Sequence, residues 1–531
     1  MLKFSKLKIA TLVVAATFVA GACTKLNEEV YSEVLESNFV PGPSDVPALI
    51  GPVYTNLRGM VAGWQGNFDV QEESADQIVT PARPNGWVDG GTYQRMHQHV
   101  WTPTQGQPNG LYSNCYRGIN TANRVIYQIE SGSIPIPVGK EATLAELKAA
   151  RAYYYSVLLD NHGNVPIVTD FKDASLPKQS TRLEVYNFVV KELTDNIPLL
   201  TDVVGRATYG RINRWAAKAI LAKVYLNAEV YTGTPRWDEC AKQCDDIIAL
   251  STATGAYGLA TRYKENFLVT NENCKELIFT VPYDEIQATE NSIHMKTLDP
   301  LMQLVYPMQV QPWGGNCAVP QFIDTYDADD QRLKDSWIMG PQYNANTGAL
   351  VINYVKNVRS LTQSASNEGY RIGKYEIKSG QQGGSSVDFP LIRYADVLLM
   401  KAEALLRTGK ANEAATIVTQ VRQRNFTATP AKATVTGAQL MMGSSYNYGE
   451  WSNGAVVNPQ GGADIQYGRM LDELGWEFAA EAHRRQDIIR FGVFTRKKWF
   501  AHVSSDVNKT IFPIPQNSLL TNSNLKQNPG Y

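Results

Sequence analysis

The sequence predicts a mostly α-helical protein, built from helix-pair repeats and interrupted by a large, loop-rich insertion that carries short strands. Apolar residues in the stretch 389–424 recur at spacings of three and one, the pattern of one buried helix face. Amphipathic stretches of the same kind fill most of 110–250. Between them, 251–388 lacks the helical period and is rich in turn residues. These three observations divide the chain into two helical parts and one irregular part.

The stretch 389–424 is typical of two antiparallel helices. Its apolar period runs from Leu391 to Leu406 and is broken at Thr408-Gly409-Lys410, where Gly409 suits the left-handed position that follows a helix. A second apolar face follows, so two helices are expected to pack against each other. The spacing matches a tetratricopeptide helix pair. The matching residues are Leu398, Ala402, Leu405, Gly409, Ala414 and Val418.

Composition excludes some classes of function. The chain has 531 residues, 44% hydrophobic and 19% charged, so it is long enough for a large core. Fifty basic residues face 51 acidic ones, for a formal net charge of −1. This balance gives no support to binding of nucleic acid or of a strongly charged polymer.

The N-terminus is predicted to be a targeting segment. Three lysines precede an apolar run, Ile9–Ala20, which is too short to span a bilayer comfortably. The run ends in Ala20-Gly21-Ala22-Cys23, which resembles a bacterial lipobox, so residues 1–22 are interpreted as a lipoprotein signal peptide and Cys23 as the palmitate-carrying anchor. An ordinary secretory signal cut near Ala22 is the alternative. Either interpretation places the rest of the chain outside the cytoplasm.

The other five cysteines do not predict a disulfide framework, because their number is odd and their spacing is irregular. Cys240 and Cys244 resemble a metal or redox pair in their spacing. The motif Trp237-Asp-Glu-Cys240 parallels Ala411-Asn-Glu-Ala414, however, so both cysteines are expected to fill helix-packing positions.

The stretch 48–101 is predicted to be mostly loop, since Gly and Pro punctuate it every few residues. Aromatic rings in such loops often lie at a surface, where they stack on the flat apolar face of a ligand. Trp87 and Trp64 are the candidates, whereas Trp101 is expected in a loop core. His97 and His99 are expected on one strand face without a third metal ligand. Polar neighbours of Trp87 are candidate hydrogen-bonding residues, namely Arg83, Asn85 and Asp89.

Helices are predicted to dominate from residue 110 to 250. Thr143 and Thr181 each stand three residues before a glutamate, which is the signature of a capping box. Asn213 is predicted to cap a further helix, whose partner begins near Trp237. These pairs are interpreted as imperfect tetratricopeptide-like repeats, separated from the pair in 389–424 by the insertion.

The insertion 251–388 contains the remaining candidate site residues. Its segment ELIFTVPYDE alternates like a short strand, and its aromatic content argues against disorder. Long irregular insertions in folded chains are usually functional. Trp313, in the loop VQPWGGN, and Tyr283, beside a predicted strand end, are therefore added to the candidate ligand-binding set.

The stretch 469–492 is predicted to be one amphipathic helix dense in charge. Pairs at helical spacing include Glu481 with Arg485 and Asp487 with Arg490. A helix face with many ion pairs is the preferred interpretation. The alternative is that Glu477, Glu481 and His483 act as acid/base residues.

Four features together resemble one known family, the SusD/RagB outer-membrane lipoproteins of Bacteroidetes. They are the lipobox, ELKAARAYYYSVLLDNHGNVPIV (146–168), FPLIRYADVLLMKAEALLRTG (389–409), and the pair LGWEFAAEAHRRQDIIRFG (474–492) with IPQNSLLTNSNLKQNPGY (514–531). The resemblance covers nearly all of the mature chain. It implies a SusD-like helical body, loops that hold glycan, an outer-membrane location at the cell surface, and partnership with a TonB-dependent transporter of the SusC type.

The sequence thus predicts a surface lipoprotein that binds a neutral glycan without catalysis and without a cofactor, and it indicates no set of metal-ligating residues. A peptide-binding lipoprotein or repeat scaffold is one alternative. A glycoside hydrolase is another, and would require two carboxyl groups roughly 5–10 Å apart across a cleft. The expected division is signal peptide 1–22, lipidated tether 23–47, N-terminal helical part 48–250, ligand-binding insertion 251–388 and C-terminal part 389–531.

Overall fold

The computed structural model of the protein describes Gly42, 45–84 and 86–531. Cys23, the predicted lipidation site, and Asn85 lie outside the described residues. The described part is mostly helical with few short strands, so the predicted fold class is confirmed.

The longer helices form the body of the molecule. They are Val46–Val61, Gly106–Glu130, Lys140–Asn161, Arg182–Asn196, Arg214–Leu226, Trp237–Thr254, Tyr394–Arg407, Ala411–Gln423 and Gly468–Phe478. Shorter α-helices lie between them. They are Asn67–Glu73, Thr92–His97, Ala228–Thr232, Ile293–Thr297, Pro320–Ile323, Gln331–Ser336, Gly437–Leu440, Arg484–Arg490 and Gln516–Thr521.

Five antiparallel two-stranded ribbons are present in the described residues, and four of them have at least one strand in the insertion. The pairs are Ile78–Val79 with Cys317–Ala318, Leu277–Val281 with Phe389–Arg393, Trp337–Ile338 with Arg371–Ile372, Gly340–Tyr343 with Leu350–Tyr354, and Gly449–Ser452 with Ala455–Pro459. A single ribbon is marginally stable in water, so the ribbons depend on the helices beneath them.

The helix pairs separated by the insertion meet in space. Helix Tyr394–Arg407 packs against both Trp237–Thr254 and its own partner Ala411–Gln423. The small residues Ala402 and Ala414 are fully buried, which lets the helix backbones approach closely. Helix Gly106–Glu130 passes Lys140–Asn161 equally closely, and a side chain at Gly118 would overlap the ring of Tyr154. The repeats therefore form one continuous helical layer.

Several helix boundaries confirm the predictions. Thr181 and Glu184 form the predicted capping box, and the Asn213 side chain accepts from the backbone N–H groups of Trp215 and Ala216. The helix predicted near Trp237 begins at that residue. Caps are local interactions, so their short spacing in sequence is sufficient to predict them.

Other boundaries correct the predictions. Leu391 lies in a strand, and the helix begins at Tyr394, because 389–393 pairs with 277–281. Thr143 is not a cap, since its helix already begins at Lys140. The stretch 48–101 contains the long helix Val46–Val61, and His97 ends a short helix instead of lying in a strand.

The stretch 469–492 forms two helices instead of one. The break lies at 479–483, where Ala480 and Ala482 have φ of 59° and 62°. Asp487 and Arg490 pair at 2.8 Å as predicted, but Glu481 pairs with Arg393 instead of Arg485. The break points Glu481 into the core, which the helical spacing did not predict.

Among the described helices, none is both long and apolar enough to cross a bilayer. Cys240 and Cys244 are buried and free, as expected for core residues.

Candidate functional site

Three tryptophans that are far apart in sequence meet on one surface. The ring centroids of Trp64 and Trp87 lie 4.8 Å apart, and the ring of Trp313 lies 5.6 Å and 5.5 Å from these two. The rings are tilted by 50° to 75° to one another, so they form a curved wall. Tyr93 packs against Trp87 from the buried side, at 4.6 Å.

The tryptophans border an open groove with a volume of about 830 Å³. This volume lies within the range of about 300–1,000 Å³ typical of small-molecule sites. Trp64 is 44% exposed, and Trp87 and Trp313 are half-buried, so each presents part of its ring to solvent. The rest of the lining is apolar or neutral apart from one carboxylate. It comprises Gly86, Pro300, Leu301, Gln311, Pro312, Ser366 and Asp299.

The loops that carry Trp87 and Trp313 are joined by their backbones. The Trp87 N–H donates to the Trp313 carbonyl at 2.8 Å, and the Trp313 N–H donates to the Met295 carbonyl at 2.8 Å. Gly315 lies under the Trp87 ring, and a Cβ at this position would come within 2.7 Å of that ring. The adjacent Gly314 has a φ of +74°, which favours glycine. The two glycines thus allow the close approach of the loops.

A buried ion pair supports the groove from behind. The Lys296 ammonium lies 2.7 Å from the Asp69 carboxylate, and both side chains are fully buried. Lys296 also donates to the carbonyl of Gly63, while Asp69 accepts from the Gln65 N–H. Because Gly63 and Gln65 flank Trp64, the ion pair ties the Trp64 turn to the segment that leads to Trp313.

Of the predicted site residues, Trp64, Trp87 and Trp313 are brought together. Asp89 is exposed two residues beyond Trp87 but does not line the groove. Asn85 lies outside the described residues. Ligand binding by the three tryptophans stays a prediction. Because the three rings share one surface, the prediction now concerns a single site.

The structure does not bring Tyr283 or Arg83 to the groove lining. The Tyr283 ring is 6% exposed, and its hydroxyl donates to the Arg58 carbonyl at 2.8 Å. Burial raises the pKa of this phenol well above its ordinary value. Arg83 donates to the carbonyls of Ala365 and Glu368 at 2.7 Å and 2.6 Å, which fixes the loop next to the groove. We correct both residues to structural roles, because neither presents a free polar or aromatic surface.

Sequence reasoning missed the lining residues Leu301, Gln311 and Ser366. One feature of the sequence could have identified Leu301 and Gln311, namely a run without charged residues. No Asp, Glu, Lys or Arg occurs in 300–323, although such residues make up 19% of the chain. That run contains Trp313, so it indicates an uncharged surface around this tryptophan. Ser366 had no signal, because it reaches the groove only through the loop that Arg83 fixes.

Two of the three candidate acid/base residues, Glu477 and Glu481, belong to a buried charge cluster, which we define as Arg332, Arg393, Arg422, Arg424, Glu276, Glu473, Glu477 and Glu481. The third, His483, is buried outside this cluster, with its Nε2 3.5 Å from the Asp396 carboxylate. Arg332 donates to Glu473 at 2.7 Å and to Glu477 at 3.1 Å. Burial alone would raise the pKa of Glu276, but Arg424 and Arg393 outweigh it and lower the pKa to about 2. Each of the four carboxylates is buried and pairs with at least one arginine, so the ion-pair interpretation is confirmed. The pairs lie in the core and not on a solvated face.

Among the described residues, no group of three or more His, Cys, Asp or Glu side chains is arranged to hold a metal ion.

Two family models match two separate parts of the sequence. The one described as "SusD family" matches residues 275–506, and the one described as "Starch-binding associating with outer membrane" matches residues 15–226. Among curated proteins, the chain is similar to the "Starch-binding protein SusD" of Bacteroides thetaiotaomicron. The two are 23% identical over 538 residues, which cover 90% of this chain and 88% of that protein.

Solved structures show the same fold at low sequence identity. A "Laminarin binding SusD-like protein" is 21% identical with a TM-score of 0.69, and the match covers 92% of this chain and 100% of that one. The "Surface glycan-binding protein A" from Bacteroides uniformis is 17% identical with a TM-score of 0.68, and covers 91% and 99% of the two chains.

Proposed function

This chain belongs to the SusD family, and on that premise we propose that it is a cell-surface lipoprotein that binds a neutral glycan and delivers it to a TonB-dependent, SusC-like transporter. The ligand lies in the groove bordered by Trp64, Trp87 and Trp313. The protein binds the glycan without cleaving it.

The observation that carries the proposal is the three-tryptophan wall. Pyranose rings have apolar C–H faces, which stack on exposed indole rings, and hydroxyl edges, which need neutral donors and acceptors. Gln311 and Ser366 supply such groups beside the rings. Starch and laminarin, which the names of the relatives mention, are chains of this chemistry. The exposed indole faces in the groove support a glycan ligand over a peptide ligand. A bound peptide would need hydrogen-bonding partners for its own backbone.

The charge of the groove supports binding without hydrolysis. Most glycoside hydrolases use two carboxyl groups that flank the scissile bond. Among the described residues that line the groove, Asp299 is the one carboxylate. It is 3% exposed, and its Oδ1 accepts from the Leu301 N–H at 3.0 Å. Asp299 therefore caps a helical turn and is not poised for acid/base work.

The anchor and the partner follow from the proposed location. Acyl chains at Cys23 would hold the protein at the outer membrane, with about 0.8 kcal/mol for each buried methylene. A lipid-anchored binder concentrates glycan at the surface, but transport requires a second chain that spans the membrane. The continuous helical layer offers a rigid surface for docking that chain.

Affinity electrophoresis tests the proposal. The soluble chain from residue 24 onward is run in native gels containing starch, laminarin, xylan or mannan, which are neutral, or alginate, which is acidic. At least one neutral polysaccharide should retard the wild type. Trp87→Ala should abolish the retardation, because truncating an aromatic residue at a hot spot costs about 2 kcal/mol or more.

The control variant is Trp237→Ala, which removes a half-buried tryptophan on a helix away from the groove. It should migrate like the wild type. Retardation of Trp87→Ala equal to that of the wild type, with both proteins folded by circular dichroism, would refute the groove as the site. Release of reducing sugar from the polysaccharide by the wild type would refute binding without catalysis.

A further inference from the structure

The hairpin formed by Gly340–Tyr343 and Leu350–Tyr354 is apolar on its outer face. Tyr343 and Leu350 lie opposite each other in the register and are 53% and 59% exposed. The inner face is also apolar, since Ile352 and Tyr354 are buried in a small core of their own with Met302 and other residues. Antiparallel hairpins usually turn a polar face to solvent. An exposed Tyr–Leu pair therefore points to a contact that the isolated chain does not satisfy.

A short ridge connects this hairpin to the tryptophan groove. The 3₁₀ helix Pro300–Leu304 begins at the groove, where Leu301 is part of the lining. Leu301 and Leu304 stand three residues apart, so they lie on one face of the 3₁₀ helix, about 6 Å apart along its axis. They are 46% and 48% exposed. The Leu304 carbonyl accepts from the Ala345 N–H at 3.0 Å, which attaches the ridge to the hairpin turn.

The ridge and hairpin continue the uncharged surface of the groove. Residues 300–323 and 336–355 contain no Asp, Glu, Lys or Arg. The polar side chains beside the exposed apolar ones are amides, and Asn353 is exposed in the hairpin. Amides both donate and accept hydrogen bonds, as sugar hydroxyls require. A membrane surface or an acidic polymer would call for lysine and arginine here instead.

We propose that Leu301, Leu304, Tyr343 and Leu350 form an accessory subsite for the same glycan chain that occupies the groove. The proposal rests on the proposed function and adds to it a ligand class, a neutral glycan long enough to leave the groove and cross the ridge to the hairpin. Short fragments fill the groove alone. Longer chains gain the stacking face of Tyr343 and the apolar contacts of the leucines, so affinity rises with chain length.

Isothermal titration tests the accessory subsite with whichever of starch, laminarin, xylan and mannan retards the wild type in the gels, as short fragments and as longer chains. Wild type should bind the longer chains more tightly than the short fragments. The double variant Tyr343→Ala/Leu350→Ala should weaken binding of the longer chains by about tenfold. It should leave binding of the short fragments unchanged, whereas Trp87→Ala should lose both.

The matched control is Ile286→Ala, which removes an 80% exposed apolar side chain from another turn. It should leave affinity for both lengths unchanged. Wild-type binding of long chains by the folded double variant would overturn the accessory subsite while leaving the groove intact, and would assign the hairpin to a protein contact. If the double variant weakens binding of short and long chains equally, the accessory subsite is also overturned, because the hairpin would then act on the groove itself. A wild type that binds none of the four neutral polysaccharides would overturn the proposed function, and the subsite with it.

Discussion

The tryptophan groove and the buried charge cluster distribute their residues in opposite ways. At the groove, large apolar rings face solvent, and Trp64 is 44% exposed. In the cluster, arginine and glutamate side chains lie in the core, and Arg332 and Arg393 are fully buried. Folding alone favours neither arrangement, because exposed apolar area gives up hydrophobic stabilisation and buried charge requires desolvation.

The two regions differ in how completely their groups are satisfied. Arg393 donates to Glu477 and to Glu481, so its charge is compensated within the chain. The outward faces of the tryptophans have no partner in the described part of the chain. A region whose unusual groups are compensated internally is structural. A region whose unusual groups stay uncompensated is poised for a ligand.

The largest expected effect comes from breaking the charge cluster. Arg393→Met removes a cation shared by Glu276, Glu477 and Glu481. Breaking a buried ion pair by removing one partner typically costs about 3–5 kcal/mol. Here three carboxylates each lose one of their cations, although each keeps another. We expect urea unfolding to show at least this loss in the free energy of unfolding. Glycan binding should weaken only in conditions where the variant unfolds.

Arg262→Met is the matched control, because Arg262 pairs with Glu265 at the surface, with 74% of the Arg262 side chain exposed. Exposed pairs contribute about 0–1 kcal/mol. Equal losses in the two variants would show that burial does not distinguish the cluster, and would break the comparison.

A more gradual effect, spread over several pH units, is expected from a carboxyl group that lies behind the groove without an arginine. Glu73 accepts from Thr80 and Asn316, and burial together with the Asp69 charge raises its pKa to about 8. An unfolded glutamate titrates near about 4.3. Between these values the folded chain holds a proton that the unfolded chain releases. Stability should therefore fall as pH rises through this window, by about 1.4 kcal/mol per pH unit for this group.

Glu73→Gln keeps the shape of the side chain and removes the titration. We expect urea unfolding between about pH 5 and pH 8 to show a shallower decline of stability in this variant than in the wild type. Glu265→Gln, at a partly exposed position, should keep the wild-type slope. An unchanged slope in Glu73→Gln would mean that Glu73 is ionised in the folded chain, as Glu276 is with its lowered pKa.

Local signals predicted the helical body, and long-range contacts explain the failures. Thr181 and Asn213 cap their helices through neighbours within three residues, so the sequence was sufficient to place them. Leu391 lies in a strand that the sequence did not predict, because the partner strand, 277–281, lies more than a hundred residues earlier. The break at 479–483 has a similar cause, since Glu72 and Arg393 hold that segment from distant parts of the chain.

The sequence predicted which types of residue form the candidate site, but not which of them lie together at the surface. Trp64, Trp87 and Trp313 stood out as aromatic residues in Gly-rich loops, and the structure brings them together. Tyr283 was chosen because it stands beside a predicted strand end, but it lies in the core, where its hydroxyl bonds the end of helix Val46–Val61. Exposure depends on what packs above a ring, which a single sequence does not encode locally.

The smallest expected effect on folding is also the sharpest test of the comparison. Trp64 packs on two other rings but leaves 44% of its surface to solvent. Trp64→Ala should therefore change the free energy of unfolding far less than Arg393→Met does. Its affinity for the retained polysaccharide should fall by about 2 kcal/mol, roughly thirtyfold. Trp64→Phe, which keeps an aromatic face, should recover most of that affinity. A Trp64→Ala variant that unfolds readily and binds normally would place Trp64 with the structural residues, and the contrast between the two regions would then fail.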